Sequence, residues 1–206
     1  MIDLYAFAMP NSVKVPILLE ELGAPYTMHK VNIRAGEQKT PTYLALNPNG
    51  KVPVIVDDEG PGGKPIIVTE SAAIVIYLAE KFGGFIPKDA ADRVAMFEWM
   101  FFHASALGPA FGQAGYFQRS APEKIPHAIE RFVGEAKRTM GVLDQRLAQR
   151  DYLANDYSLA DIVNYGWMWR REFAGIDFSG FPNVEKWFAR VEARPAVQRA
   201  IAKLNA

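Results

Sequence analysis

An α/β half followed by an all-α half is the fold class that this 206-residue chain predicts. Three observations predict it. β-type and helical runs alternate through residues 1–81. Strand signals stop after Phe85-Ile86-Pro87-Lys88. Beyond that point apolar residues recur only at helical spacing.

Ile2–Phe7 reads as a strand. Pro10-Asn11-Ser12 ends it and offers an N-cap to a helix over Val13–Leu22, with Gly23 at C′. Pro16 costs that helix a hydrogen bond unless it falls in the first turn. Tyr26–Val31 is a second strand, and Ala35–Ala45 is polar and irregular with room for one helix. Val52–Asp57 and Ile66–Thr69 are apolar and β-rich, joined by a Gly-rich hairpin signal at Asp58–Gly63. Ser71–Lys81 is helical and stops at Gly83-Gly84. The order is β-α-β-α-β-β-α, a βαβ half and a hairpin half.

In the second part Ala90–His103 reads as a long apolar helix. Ala128–Ala148 follows, with Ile129, Phe132, Val133, Ala136, Met140, Leu143 and Leu147 on one face. Ser158-Leu159-Ala160-Asp161 is a capping box with Asp in place of Glu, in front of the helix Ile162–Trp169. Val184, Trp187, Phe188 and Val191 mark a later helix, and Pro195 opens the last one at N1. The expected domains are residues 1–81, a linker at 82–88 and a helical bundle over 89–206. No internal repeat or low-complexity tract interrupts them.

Composition narrows the function. Lys and Arg number 23 and so do Asp and Glu, giving zero net charge. That balance argues against nucleic acid or an anionic membrane as the main partner. The first ten residues are apolar but short, carry Asp3 and lack a basic stretch, so they read as a strand and not a signal peptide. No run reaches the roughly 18 apolar residues of a membrane helix. There is no cysteine, which excludes disulfides, thiolate zinc sites and CxxC chemistry. Any sulfur chemistry must be done by a bound thiol. The expected setting is cytoplasmic. His29, His103 and His127 are scattered without metal-ligand spacing, so no metal is expected, and no GxSxG, HExxH, Walker or GxGxxG pattern appears.

Residues 47–71 carry most of the chemistry. Asn47-Pro48-Asn49-Gly50-Lys51-Val52-Pro53-Val54 places a Pro at a strand edge. A Pro cannot donate to a ladder, so it sits at an edge or a bulge. A cis Val52–Pro53 bond would turn the Val52 N–H and C=O toward a ligand, where they could pair with an extended peptide. A plain trans edge Pro is the commoner arrangement, since about 5% of X–Pro bonds are cis. Glu70-Ser71 opens a helix, whose free N–H groups and dipole stabilise a carboxylate. Glu70 can take an ammonium beside it, so the pair suits an α-amino-acid head. Taken alone, a Ser cap with a dipole-favouring Glu explains it as well. Pro10-Asn11-Ser12 lies at the carboxyl end of a strand, where open α/β sheets bind ligands. Asn11 could donate an amide N–H and Ser12 a hydroxyl to a thiolate, or one of them could simply cap the helix. Tyr5 could face either side of its strand.

The whole pattern is more specific than its parts. Strand–Pro10-Asn11–helix, NPNGKVPVIV, TESAAIVIYLAEK, SLADI and FPNVEKWFARVEARPAV together resemble the glutathione transferase superfamily over essentially the whole chain. Within it the MIDLY start, Gly108–Gln113 and Ile125–Phe132 are most similar to the bacterial Nu-class glutathione-dependent disulfide-bond oxidoreductases and to a yeast nitrogen-regulator prion-like branch. The resemblance implies a thioredoxin-like N-terminal domain, an all-α C-terminal bundle and a homodimer. It implies glutathione or oxidised glutathione as ligand and co-substrate. Val52 and a cis-Pro53 would pair with the cysteinyl backbone, Glu70 and Ser71 would hold the γ-glutamyl head, and Gln38 and Lys51 would lie near the glycyl end. Asn11, with Ser12, would stabilise the sulfur. Arg131 would reach the ligand from the helical domain, or else pair with Glu135 one turn on. Met9, Phe111, Gln113 and Tyr116, with Phe117 and Trp169, would line the second-substrate site. The related pattern has Thr where this chain has Met9, and a thioether cannot donate to a thiolate as a hydroxyl can. Three functions follow as alternatives: disulfide reduction through bound glutathione, conjugation of glutathione to a small electrophile, or a glutathione-binding scaffold with little catalysis.

Overall fold

Strand β1 (Ile2–Ala6) shows why the first half folds as it does. Its residues alternate: Ile2, Leu4 and Ala6 are buried, while Asp3 and Tyr5 point the other way. In the computed structural model, which describes all 206 residues, β1 is central to a four-stranded sheet of order β2-β1-β3-β4. Strand β2 (Tyr26–Lys30) runs parallel to β1, and β3 (Val54–Asp57) and β4 (Ile66–Thr69) complete the sheet as an antiparallel pair. Helix α1 (Lys14–Leu22) makes the crossover between β1 and β2. The short helix α2 (Pro41–Leu46) follows a 3-10 turn at Glu37–Lys39, with Thr40 as its cap and Pro41 at N1. Helix α3 (Ser71–Phe82) ends at Gly83 and packs on α1. On the Tyr5 face, Tyr5, Leu46 and Val52 close around Val31, Tyr43 and Val54. This is the thioredoxin-like βαβαββα arrangement that the sequence predicts.

Residues 85–193 form a second, all-helical unit. It comprises α4 (Ala90–Phe102), α5 (Gly108–Gly115), α6 (Pro126–Leu147), α7 (Leu159–Trp169) and α8 (Pro182–Glu192). One π turn, His103–Leu107, joins α4 to α5, and another, Tyr116–Ser120, follows α5. Helix α7 is buried from Leu159 to Met168 and carries the capping box as read. Ser158 N–H donates to Asp161 Oδ2 at 3.0 Å. Asp161 Oδ1 also accepts from Leu153 N–H at 3.0 Å and from the Trp187 indole at 2.8 Å. Burial raises the Asp161 carboxyl to about 6 even though these bonds pull the other way.

The last helix, α9 (Pro195–Asn205), belongs with residues 1–84 and not with the helical unit where the sequence places it. The reason is electrostatic as well as apolar. Helix α1 ends in Glu20 and Glu21, carboxylates that oppose its own dipole. Arg194 grips Glu21 at 2.5 and 3.0 Å, and Arg199 and Lys203 reach Glu20 at 2.8 and 2.5 Å. Burial raises the Glu20 carboxyl, but the bonds from Lys203, Arg199 and Tyr26 outweigh it and hold it below its usual value.

Two local expectations also shift, and the condition on Pro16 is met. Neither Asn11 nor Ser12 caps α1; residues 10–13 form a turn in which the N–H groups of Ser12 and Val13 donate to Met9 O at 3.0 and 3.1 Å. Pro16 therefore lies in the first turn of α1, where no N–H is needed. Strand β3 starts at Val54, so Pro53 precedes the strand and does not interrupt it.

Candidate functional site

The carboxyl end of β1, the loop before β3 and the start of α3 converge on a cleft of about 240 Å³. Asn11, Asn47, Asn49, Lys51, Val52, Pro53, Glu70 and Ser71 line it. Two roomier clefts exist. One, of about 410 Å³, lies over β2 and α2 and is largely apolar. The other, of about 360 Å³, lies between the end of α6 and α8. Only the smaller cleft joins an unpaired backbone edge, a helix start and carboxamides in one place, which is what a zwitterionic peptide needs.

The loop is held from behind. The Lys51 carbonyl accepts from the Tyr43 hydroxyl and from Asn47 Nδ2, both at 2.8 Å. Asn47 Oδ1 accepts from Asn49 N–H at 3.0 Å. Gly50 has φ +62, and a Cβ there would stand 2.7 Å from Lys39 Nζ and 3.0 Å from Gln38 O. Glycine is required at that corner on both counts. The Val52–Pro53 peptide bond is cis. Pro53 is buried, Val52 half-buried and Lys51 exposed at the cleft.

Glu70 sits at the cap of α3 with φ +65, a left-handed conformation that a non-glycine residue adopts at a cost of about 1–3 kcal/mol. Such strain survives where the surroundings impose it. Here it leaves the Glu70 side chain exposed beside the half-buried Ser71. Asn11 is exposed at the mouth.

One member of the cluster is absent from the sequence reading. Lys14, in the first turn of α1, is fully buried. Its ammonium donates to Asn11 Oδ1 at 2.8 Å and to Ser71 Oγ at 3.1 Å. Burial lowers it to about 7, while the Glu70 charge pushes it back up. The signal was present: a lone cation set in the apolar run Val13–Leu19. Asn47 is also part of the site as a brace, and it stands in the same motif as Lys51.

Other expected residues are placed differently. Ser12 is fully buried, its hydroxyl unpartnered, and it does not line the cleft. Gln38 does not line it either; its Oε1 is buried without a partner behind Gly50. Met9 is half-buried. In the helical unit Phe111 is wholly buried against Trp167 and is core, because α5 turns Ala110, Phe111 and Ala114 inward. Gln113 and Tyr116 are exposed, and Phe117 stacks on Phe132. Arg131 is exposed, and Glu135 pairs not with it but with Arg138, through two bonds of 2.8 Å.

The family profiles described as "Glutathione S-transferase, N-terminal domain" and "Glutathione S-transferase, C-terminal domain" match residues 8–81 and 96–195. The Escherichia coli disulfide-bond oxidoreductase YfcG is 40% identical over 98% of this chain and 95% of its own length. The chain belongs to the glutathione S-transferase family. This family member also resembles E. coli YghU, another disulfide-bond oxidoreductase, at 38% identity over 96% of the chain and 73% of YghU. Among solved structures, a Burkholderia graminis glutathione transferase with two glutathione molecules per subunit is 42% identical, with a TM-score of 0.91 over 97% of this chain and 87% of that one. A Pseudomonas putida glutathione transferase holding one glutathione disulfide is 39% identical, with the same score over 97% and 90%. These likenesses place the present glutathione S-transferase family member among bacterial relatives of the disulfide-bond oxidoreductase kind.

Proposed function

We propose that the cleft binds glutathione and that the chain uses the bound thiolate to reduce disulfides. The observation that carries the reading is the convergence of Asn11, the Lys51–Pro53 edge and Glu70-Ser71 on one cleft in a chain without cysteine. The γ-glutamyl ammonium lies against Glu70, and its carboxylate lies on Ser71 and the N–H groups of α3. The Val52 backbone pairs with the cysteinyl unit, and Lys51 meets the glycyl carboxylate, with Gln38 close behind Gly50. Asn11 donates to the sulfur.

The chemistry needs no protein thiol. Glutathione thiolate attacks one sulfur of a disulfide; the new S–S bond forms as the old one breaks, and one thiolate leaves with the electron pair. A second glutathione thiolate then attacks the glutathionyl sulfur and releases the second thiolate. Two glutathiones are oxidised to one glutathione disulfide, the substrate disulfide is reduced, and two protons pass to the departing thiolates. The Burkholderia relative with two bound glutathiones and the Pseudomonas relative with glutathione disulfide support this stoichiometry. A homodimer is the assembly that goes with the reading, and light scattering after gel filtration tests it.

The test is reduction of a small dialkyl disulfide by glutathione. A rate well above buffer is expected, and Asn11→Ala should lower it far more than it weakens glutathione binding. A wild-type rate no better than buffer would sink the enzyme reading. Met9 favours one rival. A thioether donates nothing to the sulfur, so glutathione binding without turnover would make the chain a scaffold.

A further inference from the structure

Asn11 can present either end of its carboxamide to the cleft. Only the Nδ2 end helps a thiolate, which accepts hydrogen bonds and donates none. The choice is made by what stands behind the amide. An ammonium has three donors and no lone pair, so the Asn11 atom 2.8 Å from Lys14 Nζ must be oxygen. The Nδ2 hydrogens are thereby turned away from Lys14 and left for a ligand. The same holds at Ser71, whose Oγ accepts from Lys14 at 3.1 Å and whose own hydrogen is then free to donate outward.

We propose that Lys14 is the positioning residue of this site: donating from the interior to Asn11 Oδ1 and Ser71 Oγ, it makes both side chains donors toward an anionic ligand. The inference rests on the glutathione reading, in which those anions are the thiolate and the γ-glutamyl carboxylate. It touches neither ligand group itself.

Protonation couples to this arrangement. A neutral amine carries a lone pair and can hold Asn11 by either end. Burial brings Lys14 to about 7, so the empty site loses the ammonium as pH rises above neutrality. Glu70, from the β4–α3 junction, favours the ammonium. On α9, Arg194, Arg199 and Lys203 are engaged with Glu20 and Glu21 at the other end of α1. A carboxylate arriving on Ser71, which Lys14 touches, favours the ammonium, and the ligand ammonium taken by Glu70 offsets part of that gain. Binding near pH 8 is therefore expected to take up part of a proton at Lys14.

S-methylglutathione, which has no thiol proton, isolates that uptake. Calorimetric titration at pH 8 in two buffers of different ionisation enthalpy should show net proton uptake on binding that is clearly smaller in Lys14→Met. With glutathione itself, the ultraviolet absorbance of bound thiolate should shift its midpoint upward by about one unit in Lys14→Met, a tenfold loss of thiolate near neutrality. In disulfide reduction, Lys14→Met in an Asn11→Ala background should cost less than about threefold, although alone it costs about tenfold or more, since both changes remove one linked interaction. Lys14→Gln keeps a donor for Asn11 without the charge; it should retain more rate than Lys14→Met and show the same reduced proton uptake. Equal uptake in wild type and Lys14→Met, or losses that multiply in the double variant, would overturn the inference. If S-methylglutathione does not bind the wild type at all, the glutathione reading fails and this inference goes with it.

Discussion

Two fully buried charges, Asp161 in the helical unit and Lys14 in the sheet-bearing unit, are held in opposite ways. Asp161, in the helical unit, accepts from the backbone of Leu153 and Ser158 and from the Trp187 indole. Its partners are neutral, fixed and turned inward. Lys14, in the sheet-bearing unit, leans on an exposed carboxamide and a half-buried hydroxyl at the edge of an open cleft. A buried charge with its bonds saturated inside the fold specifies structure. One whose partners face a cleft is held ready for a ligand, and the empty protein is less stable for it.

The contrast can be broken most severely at Asp161. Asp161→Ala strands three buried N–H donors at roughly 1–3 kcal/mol each, so a loss of about 3 kcal/mol or more is expected in urea unfolding. A loss under 1 kcal/mol would remove the structural half of the comparison. Lys14→Met should act with the opposite sign, stabilising the empty protein by about 1–2 kcal/mol at pH 6, as replacement of a buried charge by an apolar side chain often does. A destabilised Lys14→Met protein would make that lysine structural too.

The pH dependence sharpens the same point. The Lys14 proton is held less tightly in the folded protein than in the unfolded chain. Its penalty is therefore full below about 7 and fades as pH rises toward the value of a free lysine. The gain from Lys14→Met should shrink between pH 6 and pH 9 when the two proteins are unfolded in parallel. Asp161 behaves inversely. Its folded value is raised to about 6, so its contribution is largest below the ordinary carboxylate range and is lost as pH climbs through that value.

Smaller effects belong to the rim. Glu70→Gly relieves the left-handed backbone and should add about 1 kcal/mol of stability while glutathione affinity falls, a split that calorimetry beside thermal unfolding would show. Equal loss of both would mean that Glu70 serves the fold alone. Arg131→Ala should leave stability within about 0.5 kcal/mol, because the residue is exposed and Glu135 is already paired with Arg138. Parallel urea unfolding of the two proteins checks it.

Most elements of the fold were readable along the chain because their signals are local. The alternation of β1, the stop at Gly83 and the Ser158–Asp161 box each depend on neighbours within a few residues. Lys51–Pro53 and Glu70-Ser71 were legible as compact motifs for the same reason, and the structure brings them to one cleft. Ser12, Gln38 and Phe111 were not, since burial decided them. A Ser after Pro-Asn can cap or face a cleft, but here the Met9 carbonyl takes the backbone donors and the side chain turns inside. The placement of α9 was hidden too: its partners, Glu20 and Glu21, lie more than 170 residues away in sequence.

The order of strands and helices, the absence of any protein thiol and the motifs at Lys51–Pro53 and Glu70-Ser71 were determined by the sequence alone, since each is a property of composition or of near neighbours. Tertiary structure alone decided that Lys14 lies between Asn11 and Ser71. One of those partners is a single helical turn away and the other is 57 positions on. Only the packing of α3 on α1 brings them to the same ammonium, and only burial there lowers its hold on the proton.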